Sequence, residues 1–298
     1  MERATVAAVQ ATPVFCDRDA TIEKVAELTK EAVGRDARLV VFSEAFVPTY
    51  PDWVWRTTPW GDRDWYARWF DQTVDVPGPA CESLGAIARE HECYLAIPVN
   101  ERDGGTVYNT ILYFGPDGAL LAKHRKLIAT GGERLVWGSG DGSTLSVIDT
   151  PFGRIGGLLC WENYMPLARA AMYEQGIDVL LSPTWDNSDV WPLSMQHIAK
   201  EGRCYVLGVT SCQRGSDVPS DIPGRDDLYR DDEWMSRGNS IIVDPLGNVL
   251  AGPLSGETGI LYADIDAHQA RLSRREFDVV GHYSRPDVFH FDVNRSGS

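Results

Sequence analysis

Residues 152–167 read F-G-R-I-G-G-L-L-C-W-E-N-Y-M-P-L. The apolar run Ile155 to Leu159 has the length of a buried strand and stops on Cys160. Pro166 stands where a helix can begin, because its missing N–H costs nothing in a first turn. Helix-forming residues run from Met165 to Glu174. Gly176 follows as a C-terminal cap, and Val179 to Leu181 is a second short apolar run. Strand, helix and strand with short joints form a βαβ unit, whose crossover makes the two strands parallel. Cys160 is thereby expected at the carboxyl end of a central strand, where open α/β sheets place their ligands.

The same grammar extends in both directions. Ala4 to Val9 is a strand. Ile22, Val25, Ala26, Ala32 and Val33 then recur at helical spacing behind Asp19 as a cap, and the strand Leu39 to Phe42 ends on Ser43–Glu44. Ala80 to His91 is helical in pattern and Tyr94 to Val99 is a strand. Val107 to Phe114 and Ala119 to Lys126 flank Gly115-Pro116-Asp117-Gly118, a hairpin turn, with His124 and Lys126 on one face of the second strand. Leu145 to Ile148 pairs with Ile155 to Leu159, Leu193 to Arg203 is a helix, and Tyr205 to Val209 is a strand. The charged stretch 213–234 reads as an exposed loop, and Ser240 to Val243, Asn248 to Ala251 and Ile260 to Ala263 as closing strands. Strands and helices alternate throughout without an internal repeat, so one α/β domain is expected over residues 1–298, its tail irregular from about residue 281.

Composition narrows the function. With 43% hydrophobic residues the chain can bury a large core, and no stretch approaches the roughly 20 apolar residues of a membrane span. Asp and Glu total 43 against 28 Lys and Arg, a formal charge of −15, and no dense basic face is visible, which argues against nucleic acid as a partner. A small uncharged or cationic ligand fits that balance better. Six cysteines without C-x-x-C spacing suggest reduced thiols in a cytoplasmic protein, and the amino terminus lacks the pattern of a secretory signal.

Three polar side chains end apolar strands: Glu44, Lys126 and Cys160. Strand ends of one sheet converge on one crevice, so their common position favours chemistry over packing. A thiol reacts as the thiolate and has a free pKa of about 8.5, so it needs a base or a cation beside it. A carboxylate in a dry site can take the proton, because desolvation lifts its pKa toward neutrality. An ammonium then steadies the anions that follow. Glu, Lys and Cys therefore suffice without histidine.

These residues sit in motifs that resemble the nitrilase, or carbon–nitrogen hydrolase, superfamily: F-S-E-A-F at 42–46, H-R-K-L at 124–127 and L-L-C-W-E-N-Y-M-P-L at 158–167. G-G-E-R-L-V-W-G-S-G-D-G-S at 131–143 and G-H-Y-S-R-P-D-V at 281–288 agree as well. The resemblance implies a four-layer α-β-β-α sandwich with two mixed sheets, dimerising through helices and often building longer spirals. It also implies Glu44 as general base, Lys126 as electrostatic stabiliser, Cys160 as nucleophile and Glu133 as a second glutamate beside the cysteine. C-W-E at 160–162 and E-R-L-V-W-G at 133–138 resemble the nitrilase branch, which implies hydrolysis of a nitrile to its carboxylic acid and ammonia through a thioimidate and a thioester. Glu133 would help protonate the departing nitrogen.

Five of the ten tryptophans fall between Pro48 and Phe70, as core or as a pocket wall. Tyr50, Trp53, Trp161 and Trp185 are the candidate substrate-binding residues, and they predict an apolar or aromatic nitrile. No metal or other cofactor is expected, since no His/Asp/Glu cluster has ligand spacing and G-S-G-D-G at 138–142 reads as a turn. An amidase of the same superfamily and a non-catalytic binding protein on the same fold are the alternatives.

Overall fold

Val179, Leu180 and Leu181 are all fully buried, and their side chains enter two different cores. Val179 and Leu181 point between two sheets, while Leu180 points under helices. A strand covered on both faces is apolar at every position, which is why these runs show no alternation in the sequence.

The computed structural model describes residues 2–297. Its first half contains β1 (Ala4–Gln10), α1 (Arg18–Val33), β2 (Ala37–Phe42), α2 (Arg63–Phe70), β3 (Val74–Asp75) and α3 (Pro79–Glu90). The strands β4 (Tyr94–Asp103), β5 (Thr106–Phe114) and β6 (Leu120–Arg125) follow. The second half runs through β7 (Val147–Thr150), β8 (Gly153–Gly157), α4 (Pro166–Tyr173), β9 (Val179–Thr184), α5 (Trp191–Gly202) and β10 (Tyr205–Thr210). It closes with β11 (Cys212–Arg214), α6 (Arg225–Leu228), β12 (Trp234–Val243), β13 (Val249–Ser255), β14 (Gly259–Ile265) and α7 (Ala267–Ser273).

Among the described residues these strands form two seven-stranded mixed sheets. One runs β14-β1-β2-β4-β5-β6 with β3 beside β4, and the other runs β11-β12-β10-β9-β8-β7 with β13 beside β12. The expected βαβ unit is present, with β8 parallel to β9 in the register Ile155↔Val179, Gly156↔Leu180 and Gly157↔Leu181. Between the sheets lie Val6, Ala8, Val41, Ile111 and Tyr113 from one side and Ile155, Leu181, Leu207 and Ile242 from the other. Val25 and Ala32 of α1 and Leu84 and Ala88 of α3 cover the outer face of the first sheet. Ala171 and Met172 of α4 and Trp191, Met195 and Ile198 of α5 cover the second. This is the expected α-β-β-α sandwich.

Two expectations change. The cap of α1 is Asp17, whose side chain accepts from the N–H of Ala20, whereas Asp19 lies inside the first turn. An acidic residue suits either place beside the helix N-terminus, so spacing alone does not separate them. The segment 213–234 is more than an exposed loop. Val218, Ile222 and Tyr229 are buried in an aromatic cluster with Phe15, Trp53, Trp65 and Trp69. Arg225 holds the segment by donating to the carbonyls of Gly215 and Val218. Its apolar anchors stand four and seven residues apart, but Pro219, Pro223 and Gly224 interrupt any continuous helix, and the charges between them mask them in the sequence.

Candidate active site

Glu44 lies just beyond β2 and Lys126 just beyond β6, two strands that run the same way, so both leave the first sheet at the same end of its strands. Cys160 follows β8 of the second sheet, and Trp185 follows β9. The crevice is therefore shared by two sheets, not formed by the strand ends of one. Closing the sandwich is what brings the groups together.

Lys126 Nζ donates to Glu44 Oε1 at 2.9 Å and to Glu133 Oε2 at 2.7 Å. The Cys160 sulfur and one carboxylate oxygen from each of Glu44 and Glu133 lie within 4.8 Å of one another. All four side chains are buried, none more than 4% exposed. A thiol with two carboxylates is also a donor set that a divalent cation can use. Here the Lys126 ammonium already binds an oxygen of each carboxylate.

Each carboxylate is oriented by further donors. Glu44 Oε1 accepts from Asn109 Nδ2 at 2.8 Å, and Oε2 accepts from the backbone N–H of Trp185 at 2.7 Å. Glu133 Oε1 accepts from the Tyr50 hydroxyl at 2.7 Å, and Oε2 accepts from the N–H of Thr130 at 2.7 Å. Trp55 Nε1 donates in turn to the Tyr50 oxygen at 3.1 Å.

The charges do not balance: one ammonium faces two carboxylates in a site without water-like screening. Burial raises the Glu44 carboxyl above its ordinary range; Lys126 pulls it down and Glu133 pushes it up. Burial and then the Glu44 charge raise the Cys160 thiol, Lys126 offsets part of this, and Glu133 adds to the rise. Burial alone would lower the Lys126 ammonium, yet Glu44, Cys160 and Glu133 together raise it. A thiolate at rest would add a second uncompensated negative charge. The arrangement favours the protonated thiol.

Cys160 opens a 3-10 turn over Cys160–Tyr164 with φ +51°, a left-handed conformation that is costly for a residue with a Cβ. Asn163 Nδ2 holds the turn by donating to the carbonyls of Leu158 and Cys160 at 2.8 and 2.9 Å.

The structure distributes the aromatic candidates unevenly. The Tyr50 and Trp185 rings stack at 4.4 Å with 5° between their planes, directly behind the two glutamates. Trp161 is half-exposed next to Cys160 in the chain, and its Nε1 donates to Asp186 Oδ2 at 3.0 Å. Trp53 lies deeper than expected, fully buried with Phe15, Trp65 and Trp69 around it at centroid distances of 5.9 to 6.2 Å. It supports the wall from behind. Asn109 was not singled out by the sequence. It faces Lys126 across the hairpin, its carbonyl accepting from the Lys126 N–H at 2.8 Å. A bulge between Tyr113 and Phe114 shifts the register and defeats simple counting from the turn.

The carbon–nitrogen hydrolase family profile matches residues 5–275, a span that holds all four buried polar groups. The chain belongs to the carbon–nitrogen hydrolase family. An aliphatic nitrilase of Sinorhizobium fredii (strain HH103) is 48% identical over 301 residues, covering 99% of this chain and 96% of that protein. A bifunctional nitrilase/nitrile hydratase, NIT4B, of Nicotiana tabacum is 44% identical, covering 98% of this chain and 85% of its own. Among solved structures, the carbon–nitrogen hydrolase of Helicobacter pylori G27 superposes with a TM-score of 0.75 at 23% identity, covering 96% of this chain and 97% of that one. The family and fold expected from the three motifs are therefore those of this carbon–nitrogen hydrolase.

Proposed function

We propose that Cys160 is the nucleophile, Glu44 the general base, Lys126 the stabilising cation and Glu133 the anchor of Lys126 in the hydrolysis of an apolar nitrile. The chain is a nitrilase, a hydrolase that converts a nitrile to its carboxylic acid and ammonia. The observation that carries the role assignment is the buried meeting of the Cys160 sulfur with both carboxylates inside 4.8 Å, with Lys126 bonded to each carboxylate.

The chemistry follows from the charges. As the Cys160 sulfur attacks the nitrile carbon, its proton passes to Glu44, whose raised pKa suits it to accept and return a proton near neutrality. The nitrile nitrogen takes that proton and a thioimidate forms. Glu44 then activates a water, and Lys126 steadies the tetrahedral species that results. Protonated nitrogen leaves as ammonia, a thioester remains, and a second water releases the acid and restores the thiol. Both oxygens of Glu133 already accept hydrogen bonds from Tyr50, Thr130 and Lys126, which supports a positioning role more than proton donation.

The half-exposed Trp161 and the stacked Tyr50–Trp185 pair support an apolar nitrile, aliphatic or aromatic, over a charged one. Ammonia release from paired nitriles and amides, with product identification, tests both activity and substrate class. Cys160→Ala should retain the fold and lose turnover. Equal turnover of amides, or activity confined to small polar nitriles, would count against this reading.

The two sheets share one interior, which supports one domain over residues 1–298 with an irregular tail from about 281. The six cysteines are all free, which supports a reducing, cytoplasmic setting. Exposed Leu167 on α4 and Leu193 on α5 support a homodimer or larger homo-oligomer joined through helices, which light scattering would test.

A further inference from the structure

A further buried glutamate lies two residues after Cys160, and the steps above do not use it. Glu162 is fully buried, and its carboxylate bonds the backbone beside Cys160 and the backbone beside Lys126. Oε2 accepts from the N–H of Leu159, the residue before Cys160, at 2.7 Å. Oε1 accepts from the N–H of Leu127, the residue after Lys126, at 2.6 Å. His124, two residues before Lys126, places Nε2 at 3.0 Å from Oε2 and 3.3 Å from Oε1. The other ring nitrogen, Nδ1, lies 3.1 Å from the carbonyl of Thr144, so the ring is held from both sides and is itself buried.

We propose that Glu162, held by His124, is a positioning residue that sets the Cys160 sulfur against Lys126 and Glu44 and thereby decides which bond of the tetrahedral species breaks. The inference rests on the assignment of Cys160 as nucleophile. One carboxylate brackets the nucleophile and the ammonium at once, across the boundary between the two sheets. It also restrains the left-handed backbone at Cys160, a conformation that persists only when its surroundings over-determine it. Burial by itself would raise the Glu162 carboxyl, but His124 and the two backbone N–H groups outweigh it and keep it below the ordinary range, so the bracket stays anionic.

The consequence for product follows from proton demand. The tetrahedral carbon carries the substituent R, a hydroxyl, an amino group and the Cys160 sulfur. Breaking the C–N bond requires a proton delivered to nitrogen; ammonia departs, leaving the thioester and then the acid. Breaking the C–S bond expels a thiolate that needs no prior proton, and the product is the amide. Loosening the bracket moves nitrogen off the Glu44 proton while leaving sulfur free to depart. Amide then rises at the expense of acid and ammonia.

Glu162→Gln tests this, because an amide offers one carbonyl oxygen where two N–H groups and an imidazole need acceptors. The expected result is a fall in kcat of up to about 100-fold per active site, the order of loss caused by displacement on an ångström scale, together with a severalfold higher amide fraction. The folded fraction, measured by circular dichroism, gives the active-site count, so partial unfolding lowers the count without altering the ratio of products. His124→Gln, which releases Glu162 without touching its carboxylate, should shift the same ratio less strongly and serves if Glu162→Gln does not fold. An unchanged acid-to-amide ratio, with kcat falling only in step with the active-site count, would overturn the proposal. Cys160→Ala is run in parallel. If it retains turnover, the assignment of the nucleophile fails; if it is inactive while the ratio stays put, only the role of Glu162 fails.

Discussion

The Tyr50 hydroxyl donates to Glu133 Oε1 at 2.7 Å across 83 residues of sequence. Glu133 turns its other oxygen to Lys126, so a phenol in the aromatic wall sets the position of the ammonium. The wall and the charge cluster are one construction. The Tyr50 hydroxyl itself is pushed further from ionising by burial, by Glu133 and by Glu44, so it remains a donor.

Tyr50→Phe removes that donor and leaves one oxygen of a buried carboxylate unpaired. A hydrogen bond to a charged group contributes about 1.5–3 kcal/mol, so kcat/KM is expected to fall about 10- to 100-fold. The stacked ring remains, and the fold should survive. Steady-state kinetics with an apolar nitrile checks this, and a loss under about twofold would separate Tyr50 from catalysis.

Glu44→Gln should be nearly inactive, losing about 100- to 10,000-fold in kcat as expected for removal of a general base. Its stability should nevertheless gain on the wild type as pH rises. The folded Glu44 pKa is raised, so its contribution is fully present below the unfolded value of about 4.3 and is lost as pH climbs through the folded value. Glutamine removes that loss. Urea melts at mildly acidic and mildly alkaline pH should show the gap between variant and wild type widening upward, and a gap that does not change with pH would contradict the shifted carboxyl.

Glu133→Gln should separate thiol reactivity from turnover. The Glu133 charge helps raise the Cys160 thiol, so its removal lowers that thiol toward the usual range and speeds alkylation at neutral pH. Turnover should fall, because Lys126 loses one of its two anchors. Peptide mass spectrometry after timed iodoacetamide treatment distinguishes Cys160 from the other five buried cysteines. Acid and ammonia formed at the normal rate would remove Glu133 from the mechanism.

Gly157→Ala should destabilise the fold. A Cβ there would lie 2.9 Å from the Leu181 carbonyl oxygen, 2.9 Å from the Tyr113 hydroxyl and 3.0 Å from Ile111 Cδ1, where the two sheets meet. Overpacking of this kind typically costs about 1–3 kcal/mol. Thermal melts would show it, and an unchanged midpoint would mean that the sheets can separate without cost.

Much of the site was legible because its signals are local. Glu44 and Cys160 end apolar runs, Lys126 ends the second strand of a hairpin, and both the hairpin turn and the βαβ unit follow from residues within a few positions of each other. The partners were not. Lys126 and Glu44 are 82 residues apart and Trp185 and Glu44 are 141 apart, and nothing local states that their strands are neighbours. Val218, Ile222 and Tyr229 were hidden among charges, and Pro219, Pro223 and Gly224 break up the spacing that would have marked them as one face. Trp53 and Trp161 looked alike in sequence, yet one is enclosed and the other half-exposed.

The amino-acid sequence by itself determined most of the strands and helices, their order and the three candidate side chains beyond them, because periodicity, turn chemistry and residue type act over a handful of positions. Only the tertiary structure decided that Glu44 and Lys126 come from one sheet and Cys160 from the other, and that Glu162 bonds the backbone beside both Lys126 and Cys160. Those contacts depend on how two twisted sheets close on a shared interior, a choice made by packing across the whole chain.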